Sequence, residues 1–296
     1  METSIGTAVS LGALAAVGWG ISGFFDAKAS KTVGPIVAAL LVNCIVTIGY
    51  CCIFMLFLRS HYTVALAGVG YAIASGAIIT IGALSYFKGL SIGPVSLVSP
   101  MSSSYPLVTT CLALTLFHAS LSTSQLFGLG LIILGVMIAT NLIRPHQLIA
   151  LESRGPLLGL LAALCWGIGY TLLAQSIQRL GWQTASLFEL ISMALAFGIC
   201  VPLVKGKQPV SWAAIKAGLH NANVLRAGSI ALCAALAFNI GLSHDSASGA
   251  IVAAISACYP ILTIILALRH FDETVATLPL IGAVASVSGV IIIFIG

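Results

Sequence analysis

Few side chains in this sequence can do chemistry, and their placement isolates them. Glu189, in Leu187-Phe188-Glu189-Leu190, is an acid inside an otherwise apolar run, and Asn43 holds the near-equivalent place in an earlier run. Ionisable or strongly polar groups inside apolar spans are costly, so they face a cavity or a partner. A carboxylate there can take up and release a proton, as proton coupling requires; the plainer alternative is a hydrogen bond to a neighbouring helix. Trp19 and Trp166 sit in matching contexts, Val17-Gly18-Trp19-Gly20-Ile21 and Leu164-Cys165-Trp166-Gly167-Ile168. Two indoles can cage an aromatic or aliphatic group and offer N–H donors, although interface tryptophans that face lipid carry the same signature. The neighbouring Gly18, Gly20, Gly167 and Gly169 allow close backbone approach and favour the inward reading. Tyr86, matched by Phe238, is a further lining candidate.

A second polar group gathers around prolines. Ser96, Ser99, Ser102, Ser103, Ser104, Thr109 and Thr110 surround Pro94, Pro100 and Pro106, too many hydroxyls for a surface in lipid. Proline removes a backbone donor and frees an upstream carbonyl, so Tyr105-Pro106 and its counterpart Tyr259-Pro260 predict bent or locally opened helices. Interruptions in corresponding segments of two halves point to a binding site in membrane carriers; a packing kink without a ligand is the alternative. The expected solute-contacting set is therefore Trp19, Asn43, Tyr86, Ser103, Tyr105, Trp166, Glu189 and Tyr259.

The elements that must position these residues are transmembrane helices. Of 296 residues, 59% are hydrophobic and 6% charged, where a soluble domain carries roughly a quarter charged, so the expected solvent is lipid. The mean hydropathy of +1.13 agrees. Only helices and closed barrels satisfy every backbone group in hydrocarbon. Cutting at charge clusters and turn signals predicts ten spans: 4–25, 34–58, 66–87, 94–117, 124–143, 156–178, 184–204, 225–241, 247–268 and 275–295. No basic stretch precedes the first run and Glu2 does, so it is expected to be retained rather than cleaved as a signal.

The matching contexts recur in order along the chain. Leu11 to Ile21 parallels Leu158 to Ile168 at an offset of roughly 147, and Gly89-Leu90-Ser91 parallels Gly241-Leu242-Ser243. Gly128 and Gly135-Val136 parallel Gly282 and Gly289-Val290, small-residue seams suited to close helix packing. Such order predicts a tandem duplication, residues 1–148 and 149–296, each of five helices. An odd number per unit turns the second upside down, which gives inverted repeats about an axis in the membrane plane. The predicted fold class is all-α, a polytopic membrane protein of ten transmembrane helices in two inverted five-helix repeats.

On these features, Trp19-Gly20 with Trp166-Gly167, Lys28 after the first span, the two Tyr-Pro pairs and the Gly-rich fifth helices, the sequence resembles the drug/metabolite transporter superfamily, specifically its ten-helix branch of two EamA-type repeats. The resemblance implies export of amino acids and other metabolites through a central cavity walled by both halves. One departure is clear: where many relatives carry an Arg near the middle of the second helix, this chain reads Leu41-Val42-Asn43-Cys44. Lys28 is expected either to reach back to the cavity mouth or to snorkel with Lys31 at the interface.

The remaining residue types exclude other chemistry. Cys44, Cys51, Cys52, Cys111, Cys165, Cys200, Cys233 and Cys258 lie in apolar runs without C-x-x-C spacing and read as small buried thiols. The six histidines, at or near span ends, lack metal-ligand spacing, and no G-x-x-x-x-G-K-[ST] loop is present, so the chain is not expected to hydrolyse ATP. No cofactor, metal or nucleic acid is expected; the partners are a small-molecule solute and the bilayer, in a monomer or homodimer. The reading is therefore a secondary carrier, an exporter of a small metabolite such as an amino acid, in a prokaryotic inner membrane. The competing classes are a scaffold or channel subunit and, less well supported by the scattered Ser, His and Asp, an intramembrane enzyme. Basic residues collect on one side of the predicted topology, with Arg59 and Arg179 alone on the other, which puts both termini outside; the resemblance implies cytoplasmic termini.

Overall fold

The computed structural model describes residues 2–57, 65–93, 95–116, 122–139, 154–203, 210–243 and 246–270, with 281–282, 284–285, 288–289 and 292 beyond them. These residues form helices and turns. They are α1 (Glu2–Val33), α2 (Pro35–Phe57), α3 (Leu66–Ile92), α4 (Val95–Ser102), α5 (Tyr105–Leu116), α6 (Thr123–Ala139), α7 (Gly155–Leu203), α8 (Trp212–Leu219), α9 (Ala222–Gly241), α10 (Ser246–Ser256) and α11 (Tyr259–His270). Among the described residues, five helices (α1, α2, α3, α7 and α9) are long and apolar enough to cross a bilayer. The predicted tenth span falls mostly outside the described residues.

Two of the boundaries that differ from the sequence expectation bear on the site. The first helix does not stop at Phe25; it continues through Asp26, Lys28 and Lys31 to Val33, with Asp26, Ala27, Ala29 and Ser30 buried and Lys31 exposed. The sixth and seventh spans run on as α7, broken only at Gly181, whose φ of 75° and ψ of 154° belong to a region open to glycine. Gly34, between α1 and α2, has a φ of 88°, and it stands about 147 residues before Gly181, at the equivalent place in the first repeat. Each half thus turns from its first to its second helix on a positive-φ glycine. Replacing Gly181 by Ala is expected to cost about 1–3 kcal/mol through backbone strain, read as a lowered melting temperature of the detergent-solubilised protein against an exposed Gly70→Ala control, whose added methyl meets nothing within 4 Å.

The helices split by Tyr-Pro break as the sequence predicts. A turn at Ser103-Ser104 separates α4 from α5, and one at Ala257-Cys258 separates α10 from α11, each followed by Tyr then Pro at the start of a new helix. Proline is tolerated there because the first helical positions have no N–H partner to lose.

Contacts between the repeats occur in pairs related by a pseudo-two-fold axis. Ser22 Oγ donates to the Ala227 carbonyl at 3.2 Å, and Ser75 Oγ donates to the Gly169 carbonyl at 2.8 Å, the equivalent pair with donor and acceptor helices exchanged. Tyr105 Oη donates to the Ala253 carbonyl at 3.0 Å and pairs with Ser256 Oγ at 2.5 Å. Its counterpart Tyr259 donates to the Ser99 carbonyl at 3.1 Å and pairs with Ser102 Oγ at 2.5 Å. Thr109 reaches the Gly167 carbonyl at 3.3 Å as Thr263 reaches that of Gly20 at 2.9 Å. These approaches need glycine: a Cβ on Gly20 or Gly167 would sit 2.8 Å from the carbonyl oxygen of Tyr259 or Tyr105 respectively. Without a hydrophobic drive between helices in lipid, close packing and such hydrogen bonds hold the bundle. The glycine seam also joins the repeats, since Gly289 lies against Gly128 and Ile132 of α6. The opposite faces of α1 and α7 expose Leu14, Val17, Leu161 and Leu164, an equivalent lipid-facing set.

Candidate functional site

A cavity of about 160 Å³ lies where the repeats meet. Its wall comes from α1, α2, α3, α5, both limbs of α7, α9 and α11. Helical spacing explains the α1 contribution: Trp19, Ser22, Gly23 and Asp26 recur every three or four residues and so share one face. Val42, Asn43 and Val46 of α2 and Glu189, Leu190 and Met193 of α7 line it at the same internal spacing, which pairs Glu189 with Val42 rather than with Asn43.

Seven of the eight residues singled out from the sequence line this one space: Trp19, Asn43, Tyr86, Tyr105, Trp166, Glu189 and Tyr259. Ser103 does not. It sits in the break before α5, two residues from Tyr105, where that turn faces α6, and it lines a separate crevice of about 10 Å³ with Pro106 and Ile132. Lys28 is not part of the wall either; its Nζ lies 4.4 Å from the centre of the Phe24 ring. Arg226 covers Phe25 at 5.5 Å and the His270 ring stands 4.8 Å from Phe24, so basic groups cap an aromatic rim at that end of α1.

Five polar residues of the wall, Ser22, Asp26, Tyr50, Tyr170 and Asn239, were not among the expected ones. Asp26 was read as the start of a loop, yet it is 7% exposed, and its Oδ1 has no hydrogen-bond partner. Its other oxygen receives only Ser22 Oγ at 3.4 Å, a hydroxyl whose single proton is shared with the Ala227 carbonyl. The phase of Trp19, Ser22 and Asp26 along one helix face is the signal that would have found it. Asn239, one residue after Phe238, is buried and donates to Ser186 Oγ at 2.8 Å, tying α9 to α7. Asn43 donates to the Ala39 carbonyl of its own helix at 2.8 Å.

Aromatic rings make most of the wall. Trp19 packs on Phe238 at 5.0 Å and 50°, and the equivalent pair, Trp166 on Tyr86, at 5.2 Å and 55°. Symmetry then fails in an informative way. Tyr170 stacks on Trp19 with centroids 6.1 Å apart at 17°, whereas its counterpart in the first repeat is Gly23. There a Cβ would find the Tyr86 hydroxyl at 3.1 Å and Thr263 Oγ1 at 3.2 Å. Likewise Asp26 matches Leu173, and both line the cavity. The second repeat fills its side with a ring; the first leaves a hollow beside a carboxylate. The named lining contains two acids, Asp26 and Glu189, and no Lys, Arg or His. A charge without a partner is costly in such a place, so each acid holds a proton or meets a cation.

Comparison with known proteins gives three findings. Residues 6–141 and 153–295 each match the EamA-like transporter family. An uncharacterized protein of Methanocaldococcus jannaschii is 34% identical over 132 residues, which is 45% of this chain and 95% of that protein, a length close to that of one repeat. A crystal structure of another protein superposes with a TM-score of 0.65 over 97% of this chain and 96% of its own at 16% identity, a likeness of fold.

Proposed function

The chain belongs to the EamA-like transporter family, a multi-pass integral membrane fold of transporter type, and from that premise we propose that it is a secondary transporter, an exporter of a small metabolite of amino-acid size, in a prokaryotic inner membrane. The observation that carries this reading is the aromatic cavity between two inverted repeats, walled by both. An apolar cavity of about 150 Å³ takes up benzene, so a space of about 160 Å³ suits a solute with one ring or a short branched chain. The paired contacts support alternating access: the hydrogen bonds that join the repeats at Tyr105 and Tyr259 occur in equivalent versions, as rocking one half against the other to exchange the closed side requires. Glu189, buried in the wall within electrostatic reach of Tyr170, is the acid proposed to couple this movement to a proton.

The test is a solute panel in proteoliposomes with the pH gradient varied. A transporter moves at least one small solute saturably, and Trp19→Ala slows it. A scaffold or channel subunit predicts no saturable movement, and an enzyme predicts a converted solute. Either result removes the proposal.

A further inference from the structure

The hollow opposite Tyr170 is more than spare room. It is bounded by Gly23, where an added Cβ would press on the Tyr86 hydroxyl at 3.1 Å and Thr263 Oγ1 at 3.2 Å, by Asp26, and by Tyr86. Tyr86 is 4% exposed, and its hydroxyl, like Asp26 Oδ1, has no hydrogen-bond partner. Buried polar atoms are nearly always paired, so two orphans in one hollow mark a place where a ligand group completes the set. A carboxylate and a phenol oxygen are both acceptors, and an ammonium group carries three donors. The indoles of Trp19 and Trp166 and the ring of Phe238 wall the same space, where ring faces attract a cation and apolar carbon is buried.

We propose, on the basis of the transporter reading above, that the Gly23–Asp26–Tyr86 hollow is an ammonium subsite and that the solute is a primary amine with a compact apolar or aromatic body, rather than a zwitterionic amino acid. The second half of the statement rests on what the wall lacks. A zwitterion brings a carboxylate, and the named lining has no Lys, Arg or His to receive it. That carboxylate would be buried near Asp26 or Glu189, where like charges repel. Sodium is the other cation to consider, but it makes no use of the aromatic wall.

Benzylamine, phenylglycine and phenylacetate test this as a series that shares one ring and differs only in charge. Binding to the purified full chain is read by the fluorescence of its tryptophans, two of which line the space. Benzylamine is expected to bind at least tenfold more tightly than phenylglycine, and phenylacetate not at all. Asp26→Asn is expected to weaken benzylamine at least tenfold at an unchanged melting temperature, and Tyr86→Phe severalfold. Should Asp26→Asn fail to fold, Gly23→Ala, which narrows the hollow and keeps the acid, is expected to give the same loss. Equal or tighter binding of phenylglycine, no binding of benzylamine at millimolar concentration, unchanged affinity in the folded variants, or full competition by sodium chloride against a choline chloride control each overturns the proposal. Proteoliposomes separate the two failures. Saturable transport of phenylglycine but not benzylamine removes the ammonium subsite and leaves the transporter, whereas no saturable transport of any solute removes the transporter.

Discussion

Gly23→Leu is expected to lower solute transport more than tenfold while the protein still folds. Gly23 borders the cavity, and already its first added carbon would stand 3.1 Å from the Tyr86 hydroxyl and 3.2 Å from Thr263 Oγ1. A four-carbon branched side chain must then extend into the open space, and that space is only about 160 Å³. Its counterpart in the second repeat is already a tyrosine, so the bundle tolerates a large group at this depth. The first carbon presses on Tyr86 and Thr263 and costs some stability, while the rest of the side chain enters the cavity. Transport should therefore fall by more than the loss of thermal stability accounts for. Gly23→Ala should lie between wild type and Gly23→Leu. Wild-type transport by a folded Gly23→Leu protein would show that the solute does not use this cavity.

Glu189→Gln is expected to abolish the stimulation of transport by a pH gradient. The ratio of rates with and without the gradient should fall toward one, and the gradient-driven component should drop at least tenfold. Glu189 is 5% exposed and lines the cavity from the second limb of α7. Glutamine keeps the shape and the polar contacts but cannot gain or lose a proton at neutral pH. Loss of the fold is a separate outcome, read from the melting temperature. Gradient stimulation that survives in the folded variant would exclude Glu189 as the coupling acid and turn attention to Asp26, the other carboxylate of the wall.

The relative from Methanocaldococcus jannaschii bears on how the present architecture is divided. A protein matched over 95% of its length by 132 residues of this chain is about as long as one repeat. Fusing two such units in one chain frees each half to change alone. The differences seen across the pseudo-dyad, Gly23 against Tyr170 and Asp26 against Leu173, are of that kind. A symmetric pair of copies would carry either two rings or two acids there.

Much of the architecture was legible in the residues themselves. Sustained hydropathy with few charges leaves lipid as the solvent, and ordered matches such as Trp19-Gly20 with Trp166-Gly167 disclose two units. An odd helix count per unit then dictates inversion, a matter of counting that needs no coordinates. The Tyr-Pro breaks were equally readable, since the local chemistry of proline does not depend on tertiary context. What only the tertiary structure decided was which side chains meet. Hydropathy averages over all faces of a helix, so Asp26 ended a span on paper, although a cavity wall uses about one residue in three or four and one polar residue facing inward does not stop a helix. Ser103 failed for the same reason in reverse: it belongs to the right segment but to the wrong side of its turn. The hollow at Gly23 is a difference between two packed halves, so it exists only once both are folded against each other.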